Sequence, residues 1–207
     1  HCELSMSNIW RSVLRPVGML RKGLKIDQPR RQLIGGFSYP APRALDEIVK
    51  LDLLANESDE RVAEIWTQFH ADKEFNFAEV WSTSHFYNFM AAKKSAGRLF
   101  IYPVPRNGGH FILLSEVQES HVLFTYLEDY KRDPSGAKPY LVITFYKELK
   151  NRDMVLVRGD ITPAALDGAE SARLLGLLKD FYIEKTDCVA DFNKGKFDFE
   201  KHINDLL

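Results

Sequence analysis

Apolar residues recur at helical intervals towards both ends of the chain. This period predicts five helices, over residues 43–54, 59–73, 83–96, 164–184 and 198–207. Ser58 suits the N-cap of the second helix because its hydroxyl can accept a backbone N–H of the first turn. Gly97 ends the third helix. Residues 186–196 show no such period, so they are predicted to be irregular.

The middle of the chain carries short apolar runs separated by turn residues. Strands are predicted over residues 75–80, 98–104, 110–117, 120–129, 140–146 and 153–157. Asn107-Gly108 and Asp133-Pro134-Ser135-Gly136 are the turn signals between neighbouring runs. Because the connections are short, the fold class is predicted to be α+β. An antiparallel meander of about five to six strands would be flanked by N-terminal and C-terminal helices.

The predicted strands are apolar on both faces, whereas a sheet with one wet face alternates apolar and polar residues. The strand over 120–129 places Val122, Phe124 and Tyr126 on one face and Leu123 and Leu127 on the other. In the strand over 140–146, the two faces carry Tyr140, Val142 and Tyr146, and Leu141, Ile143 and Phe145. Both faces therefore need cover, either from the chain's own helices or in part from a partner.

Residues 1–42 are predicted to be a basic extension, and residues 43–207 a single α+β domain. From Met6 to Gly35 there are seven basic residues and one acidic residue, with apolar residues interleaved. An arginine-rich, acid-poor segment is typical of a mitochondrial transit peptide or of its remainder. A solvated basic arm, or an amphipathic helix that lies on a partner or a membrane, is the alternative.

The composition and the absence of known motifs exclude several classes of function. The net charge of −1 gives no field that would attract nucleic acid, and Cys2 and Cys188 form neither a disulfide framework nor a zinc spacing. Phosphate-binding, dinucleotide-binding, zinc-protease and serine-hydrolase motifs are absent. His110 and His121 fall on adjacent predicted strands, but no further ligand stands at metal-binding spacing. We therefore predict no catalytic residue, cofactor or metal.

Several segments carry a resemblance to a known family. They are residues 45–51, Ile65-Trp66, Phe69-His70, 100–106, 147–150 and 155–157. In their order along the chain, from Leu45 to Asp205, they resemble the mitochondrial ATP synthase F(1) complex assembly factors that handle the beta subunit. The resemblance implies a monomeric chaperone of the mitochondrial matrix, with no enzymatic activity and no stable membrane insertion. It would bind free beta subunit and prevent its aggregation until alpha subunit replaces it.

Aromatic residues are the candidate partner contacts, because they bury a large area at little entropic cost. The candidate partner-binding residues are Phe86, Phe89 and Met90 on the third predicted helix, and Tyr126, Tyr140 and Tyr146 on the sheet. Ordinary core packing is the competing interpretation of each. An α+β small-molecule-binding or enzymatic domain, with an apolar pocket beside the sheet, is the alternative function. A basic-arm protein that binds membranes or RNA is a third.

Overall fold

Residues 42–207 are the part of the chain that the computed structural model describes. The predicted basic extension lies outside the described residues, except for Pro42. Within the described part, the chain forms seven α-helices and one six-stranded antiparallel sheet. The predicted α+β class is confirmed.

The strands are β1 Asn76–Trp81, β2 Leu99–Arg106, β3 Gly109–Val117, β4 His121–Tyr126, β5 Pro139–Tyr146 and β6 Val155–Ile161. The helices are α1 Leu51–Leu54, α2 Asp59–Ala71, α3 Thr83–Ala96, α4 Leu127–Arg132, α5 Gly168–Lys179, α6 Thr186–Lys194 and α7 Phe199–Leu206. Two 3-10 turns, Leu45–Glu47 and Lys150–Arg152, and a π-helical segment, Asp180–Glu184, complete the described elements.

The sheet has the strand order β1-β6-β5-β4-β3-β2, and every neighbouring pair is antiparallel. Strands β2 to β6 follow one another as the predicted meander. β1 precedes them in the chain and pairs with the last of them, β6. β1 and β2 are therefore the two border strands of the sheet.

The larger core lies on the face of the sheet that carries Leu113, Phe124, Leu141 and Val157, which we call the first face. Helices α3, α5 and α6 cover it, together with the π-helical segment. Their apolar side chains bury the strands from this side, so the central residues of the first face are inaccessible to solvent.

The opposite, second face is covered from its two sides. Trp66 of α2 packs over β5 and β6, and its Nε1 donates to the carbonyl of Val157 at 3.1 Å. Leu127 of α4 and the residues around α7 cover β2 and β3 at the other side. Between them, Leu123 and Val142 are only partly buried. Helices of the same chain thus provide most of the cover that two apolar faces require.

The predicted first helix, over 43–54, is wrong. The chain forms a 3-10 turn, becomes extended at Lys50, and then makes the single turn of α1. Leu45 and Leu54 are both buried in the same cluster. Nine residues correspond to two and a half helical turns, so one continuous helix would direct these side chains to opposite sides. The break lets both side chains reach the core.

Three other predicted boundaries are wrong. Residues 186–196, predicted to be irregular, contain α6, because Val189 packs into the main core and Gly195 ends the helix with φ of 85°. The strand over 120–129 ends at Tyr126 and continues as α4. The helix over 164–184 begins only at Gly168. The side chain of Asp167 accepts from the backbone N–H of Glu170, and Glu170 reciprocates.

Candidate functional site

The three candidate residues of α3 face the sheet. The rings of Phe86 and Phe89 lie 5.2 and 5.7 Å from the ring of Phe145, and their side chains are 2% and 0% exposed. Helical spacing directs both towards the first face, where the apolar strands exclude water. Met90 lies at the margin of this core and is partly buried. Phe86 and Phe89 are therefore almost completely inaccessible to solvent in this structure.

Tyr146, a candidate of the sheet, is also buried. Its ring lies 5.8 Å from that of Trp66, and its hydroxyl donates to the carbonyl of Arg43 at 2.9 Å. Burial raises the pKa of the Tyr146 hydroxyl to about 12. The residue joins β5 to the segment that leads into the 3-10 turn, so its position is that of a core residue.

Tyr126 and Tyr140 are brought together, although the alternation pattern assigned Tyr140 to the opposite face from Leu141. That assignment is wrong. Phe124 is paired with Leu141 but Thr125 with Pro139, so Tyr140 is an extra residue in a β-bulge. A bulge turns its side chain away from strict alternation. The Tyr140 ring stacks on that of Tyr126, with 6.1 Å between centroids and 14° between planes.

Phe111 completes this cluster. Its ring centroid lies 6.2 Å from that of Tyr126 and 6.3 Å from that of Tyr140. All three side chains are partly buried against the edge of the main core. We call Phe111, Tyr126 and Tyr140 the aromatic corner. The pKa of Tyr140 is raised by its burial and, to a smaller extent, by Asp129.

Arg106, an exposed residue at the end of β2, lies over the aromatic corner. Its Cζ is 5.4 Å from the centroid of the Phe111 ring. Its guanidinium donates to the carbonyl of Ala165 at 2.8 Å and to the carboxylate of Glu170 at 2.9 Å. The arginine is therefore held in place by two partners. Aromatic rings beside a fixed arginine are the composition typical of energetically dominant residues in protein interfaces.

Phe111 and Arg106 were not among the residues predicted from the sequence. Alternation from Leu113 places Phe111 on the first face, and the pairing of Leu113 with Tyr126 brings it near that tyrosine. The signal for Phe111 was therefore available once the register of β3 and β4 was known. The position of Arg106 depends on Glu170, which is far away in the chain, and no local pattern indicates it.

A groove with a volume of about 560 Å³ lies beside the second face at His121. It is lined by Pro42, Arg43, Ala44, Leu45, Ser120, His121, Thr144, Phe145, Tyr146, Lys147 and Glu148. Burial lowers the pKa of His121, and the Ser120 hydroxyl lies 3.1 Å from its Nδ1. The Thr144 hydroxyl is buried and has no hydrogen-bond partner among the described residues.

His110 and His121 do lie on adjacent strands, as the pattern predicts, but at opposite ends of them. His110 is exposed beside the β2–β3 turn, where it pairs with Pro105. His121 begins β4, which runs antiparallel to β3. The two imidazoles therefore cannot share a metal ion. Across residues 42–207, no group of three or more His, Cys, Asp or Glu side chains is placed to hold one.

None of the helices in residues 42–207 combines the length and the apolar character that crossing a membrane requires.

The described residues define an α+β domain with an antiparallel meander, helices on both faces and a partly exposed aromatic corner. The chain belongs to the ATP11 protein family, whose sequence model matches residues 36–203. Two curated relatives carry the name ATP synthase mitochondrial F1 complex assembly factor 1. The one from Danio rerio is 23% identical over 184 residues, and the one from Homo sapiens is 21% identical over 175 residues.

The matched region covers 86% of this chain and 59% of the Danio rerio relative. For the Homo sapiens relative, the corresponding shares are 81% and 53%. The chain thus spans less than two thirds of the length of the curated relatives it matches. The family match confirms the resemblance that the sequence segments indicated.

Proposed function

We propose that this chain is an assembly factor for the F(1) sector of mitochondrial ATP synthase, and that it acts without catalysis. The family match over residues 36–203 and the names of the two relatives support the proposal. We further propose that the client, by which we mean the protein it binds, is the unassembled beta subunit. The chain would prevent its aggregation until alpha subunit replaces it.

The physical logic of such a function is competition. A subunit that belongs in an oligomer exposes apolar interface area while it is alone, and large exposed apolar patches aggregate. A chaperone that covers this area lowers the concentration of the aggregating species by mass action. It must bind less tightly than the true partner, so that arrival of the partner releases it. No bond is made or broken in this cycle.

The aromatic corner is our proposed contact surface, with Met90 as a further candidate. Tyr126 and Tyr140 retain accessible surface, are rigidly stacked and lie beside an anchored arginine. Rigid aromatic side chains lose little entropy on binding. Phe86, Phe89 and Tyr146 are buried, so they would support the surface by holding α3 and β5 in place.

Purified beta subunit diluted from denaturant provides the test. We expect the chain to suppress light scattering near equimolar ratio, without ATP. A variant with Tyr126→Ala and Tyr140→Ala should suppress it less. Tyr87→Ala is the matched control, because Tyr87 is 53% exposed on α3 and is not a candidate. Unaltered scattering with the wild-type chain would refute the proposed function.

We also propose that the chain acts in the mitochondrial matrix and that residues 1–42 contain targeting information. The basic, acid-poor composition of residues 6–35 supports this. Import into isolated mitochondria, with and without residues 1–42, tests it. Protease-protected material should appear in the matrix fraction only when the segment is present.

The groove at His121 favours a second candidate function, the binding of a small molecule. Its volume is within the range of ligand pockets, and the unpartnered Thr144 hydroxyl offers a polar contact. A fraction of matrix metabolites that raises the thermal midpoint of the wild-type protein, but not of Thr144→Val, would support this candidate. Equal shifts in both proteins would argue against it.

A further inference from the structure

The outer border of β2 is already occupied by groups of the same chain. The backbone N–H of Val117 donates to the carbonyl of Arg98, so the backbone N–H and carbonyl of Arg98 face β3. The backbone groups of the next residue therefore point away from the sheet. The positions whose backbone groups point outwards are therefore Leu99, Ile101, Pro103 and Pro105.

Three side chains cover outward carbonyls of β2. Asn193 donates to Leu99 at 2.8 Å, His202 to Ile101 at 3.1 Å and Arg173 to Pro103 at 3.0 Å. The two prolines carry no N–H.

β1, at the opposite border, has no such protection among the described residues. Ile161 donates to the carbonyl of Phe75 at 2.9 Å, so the backbone of Phe75 faces β6. By alternation, β6 also pairs with the backbone groups of Phe77, Glu79 and Trp81. The backbone N–H and carbonyl groups that point outwards are those of Asn76, Ala78 and Val80. The backbone N–H of Asn76 donates to the carbonyl of Lys73, at 3.3 Å, within a turn. The N–H and carbonyl groups of Ala78 and Val80 have no partner within residues 42–207.

Exposed apolar side chains and a lysine lie beside the Asn76 end of β1. Phe69 of α2 is 43% exposed and Phe75 is 39% exposed. The Nζ of Lys73 lies 3.2 Å from the centroid of the Phe69 ring, and within residues 42–207 it forms no ion pair with a carboxylate. Burial lowers the pKa of Lys73, and the nearby Arg158 and Arg43 lower it further. Asp160, whose carboxylate accepts from the Asn76 side chain at 2.7 Å, partly opposes this effect. Because Lys73 is not in an ion pair within residues 42–207, a carboxylate of a bound partner would be its complementary charge.

We propose that β1 binds an extended segment of the client as a seventh strand of the sheet. This inference rests on the proposed function, because it describes how the client is held. The segment pairs with the free backbone groups of Ala78 and Val80, and its apolar side chains lie beside Phe69 and Phe75. An acidic side chain of the segment lies beside Lys73. Backbone pairing supplies the affinity in this mode of recognition, and the flanking side chains supply the specificity.

Strand addition makes a specific prediction for amide hydrogen exchange. In a complex with beta subunit, exchange at Ala78 and Val80 should slow by at least about tenfold, because their free N–H groups become bonded. Exchange at Phe77, Glu79 and Trp81 should change much less, because β6 already holds them. The exchange is run in the complex, quenched, and then resolved by NMR on the dissociated protein.

Two matched pairs of variants test the contacts. Val80→Pro removes the outward N–H of an edge strand, where proline is tolerated, whereas Val80→Thr keeps it at similar volume. Affinity for beta subunit should fall about tenfold in the first and about twofold or less in the second. Lys73→Glu should weaken binding in a salt-dependent manner, whereas Lys94→Glu, at an exposed site on α3, should not. Circular dichroism and the thermal midpoint establish that each variant is folded.

The outcomes separate the inference from the function on which it rests. If beta subunit binds but the Ala78 and Val80 amides exchange as before, strand addition is wrong and the assembly function stands. If the wild-type chain does not bind beta subunit, both are wrong. Protection that appears without client and rises with protein concentration would show pairing between two copies, and would overturn the inference. Protection without client that disappears when residues 1–41 are removed would overturn it as well.

Discussion

The ring of Phe77 lies directly over Gly159, its cross-strand neighbour on β6, and a Cβ on this glycine would overlap the ring. The aromatic side chain thus covers a backbone position that has no side chain of its own. We expect Gly159→Ala to reduce the free energy of unfolding by about 1–3 kcal/mol, because the strands or the ring must shift. Urea unfolding measures this loss.

Gly168→Ala is the matched control for Gly159→Ala. Gly168 begins α5, and an added Cβ would find no heavy atom within 4 Å. Its effect should be neutral or slightly stabilising. In a chain that already carries Phe77→Ala, the change Gly159→Ala should cost less than it does in the wild-type chain, because the overlapping ring is gone. An additive double variant would show that the overlap is not the cause.

Arg152 ties the β5–β6 connection to the N-terminal helices. Its guanidinium donates to the Asp59 carboxylate and to the carbonyls of Leu54 and Glu57, at 2.7, 3.2 and 2.6 Å. Arg152→Ala leaves the Asp59 carboxylate and the Glu57 carbonyl without this donor, whereas the Leu54 carbonyl still accepts from the backbone N–H of Glu57. We therefore expect a loss of about 1–3 kcal/mol in the free energy of unfolding. Thermal and urea unfolding provide the measurement.

Arg132→Ala is the control for that prediction. The Arg132 side chain is 78% exposed, and its only ion-pair partner among residues 42–207 is Asp129, one turn earlier on α4. Exposed pairs of this kind contribute little, so the change should be within about 0.5 kcal/mol. Equal losses in the two variants would mean that the Arg152 contacts do not hold the N-terminal helices.

Acid should destabilise the domain through its buried histidines. His202 is buried, its Nε2 contacts the Ile101 carbonyl at 3.1 Å, and burial lowers its pKa below 6.5. Below pH 6.5, the unfolded state therefore binds more protons at His202 than the folded state does. The contribution of the neutral histidine to the free energy of unfolding is fully present above pH 6.5 and decreases as the pH falls towards the lower pKa of the folded state. Burial lowers the pKa values of His70, His85 and His121 in the same direction.

His202→Gln should make the unfolding free energy less dependent on pH between about 7 and 5, because glutamine can donate to Ile101 without titrating. Urea unfolding at several pH values measures the slope. His110→Gln serves as the control, since His110 is exposed at the β2–β3 turn. A slope that is unchanged in His202→Gln would exclude His202 as a contributor.

The two tyrosines of the aromatic corner should act as one unit in binding. Because their rings stack, Tyr126→Ala also removes the support of Tyr140. We therefore expect the double variant to lose less affinity than the sum of the two single losses predicts. Isothermal titration with beta subunit gives the three values. Strict additivity would show that the residues contribute separately.

Much of the fold follows from local patterns. Turn residues and strand spacing predict the meander, and Ser58 marks the first turn of α2, where its hydroxyl accepts from Arg61. α6 was missed because its polar residues have weak helix propensity, and contacts that are distant in the chain stabilise it, such as those of Val189 and Phe192 with the main core. Long-range packing also breaks the helix predicted over 43–54. Such effects are invisible in a window of neighbouring residues.

The candidate surface was harder to predict than the sheet. An aromatic residue on a helix or strand has the same appearance in the sequence whether it lies in the core, as Phe89 does, or at a margin, as Tyr126 does. The orientation of Tyr140 depends on a one-residue register shift between β4 and β5. Because a single extra residue reverses a side chain, alternation alone could not place it.

The caps on β2 have a consequence for the chain's own solubility. Asn193, His202 and Arg173 come from three different helices, yet together they seal one border against pairing with foreign strands. Replacing one of them would uncover a carbonyl beside strands that are rich in aromatic and branched residues. The uncovered carbonyl would then be available to pair with an extended segment of another chain.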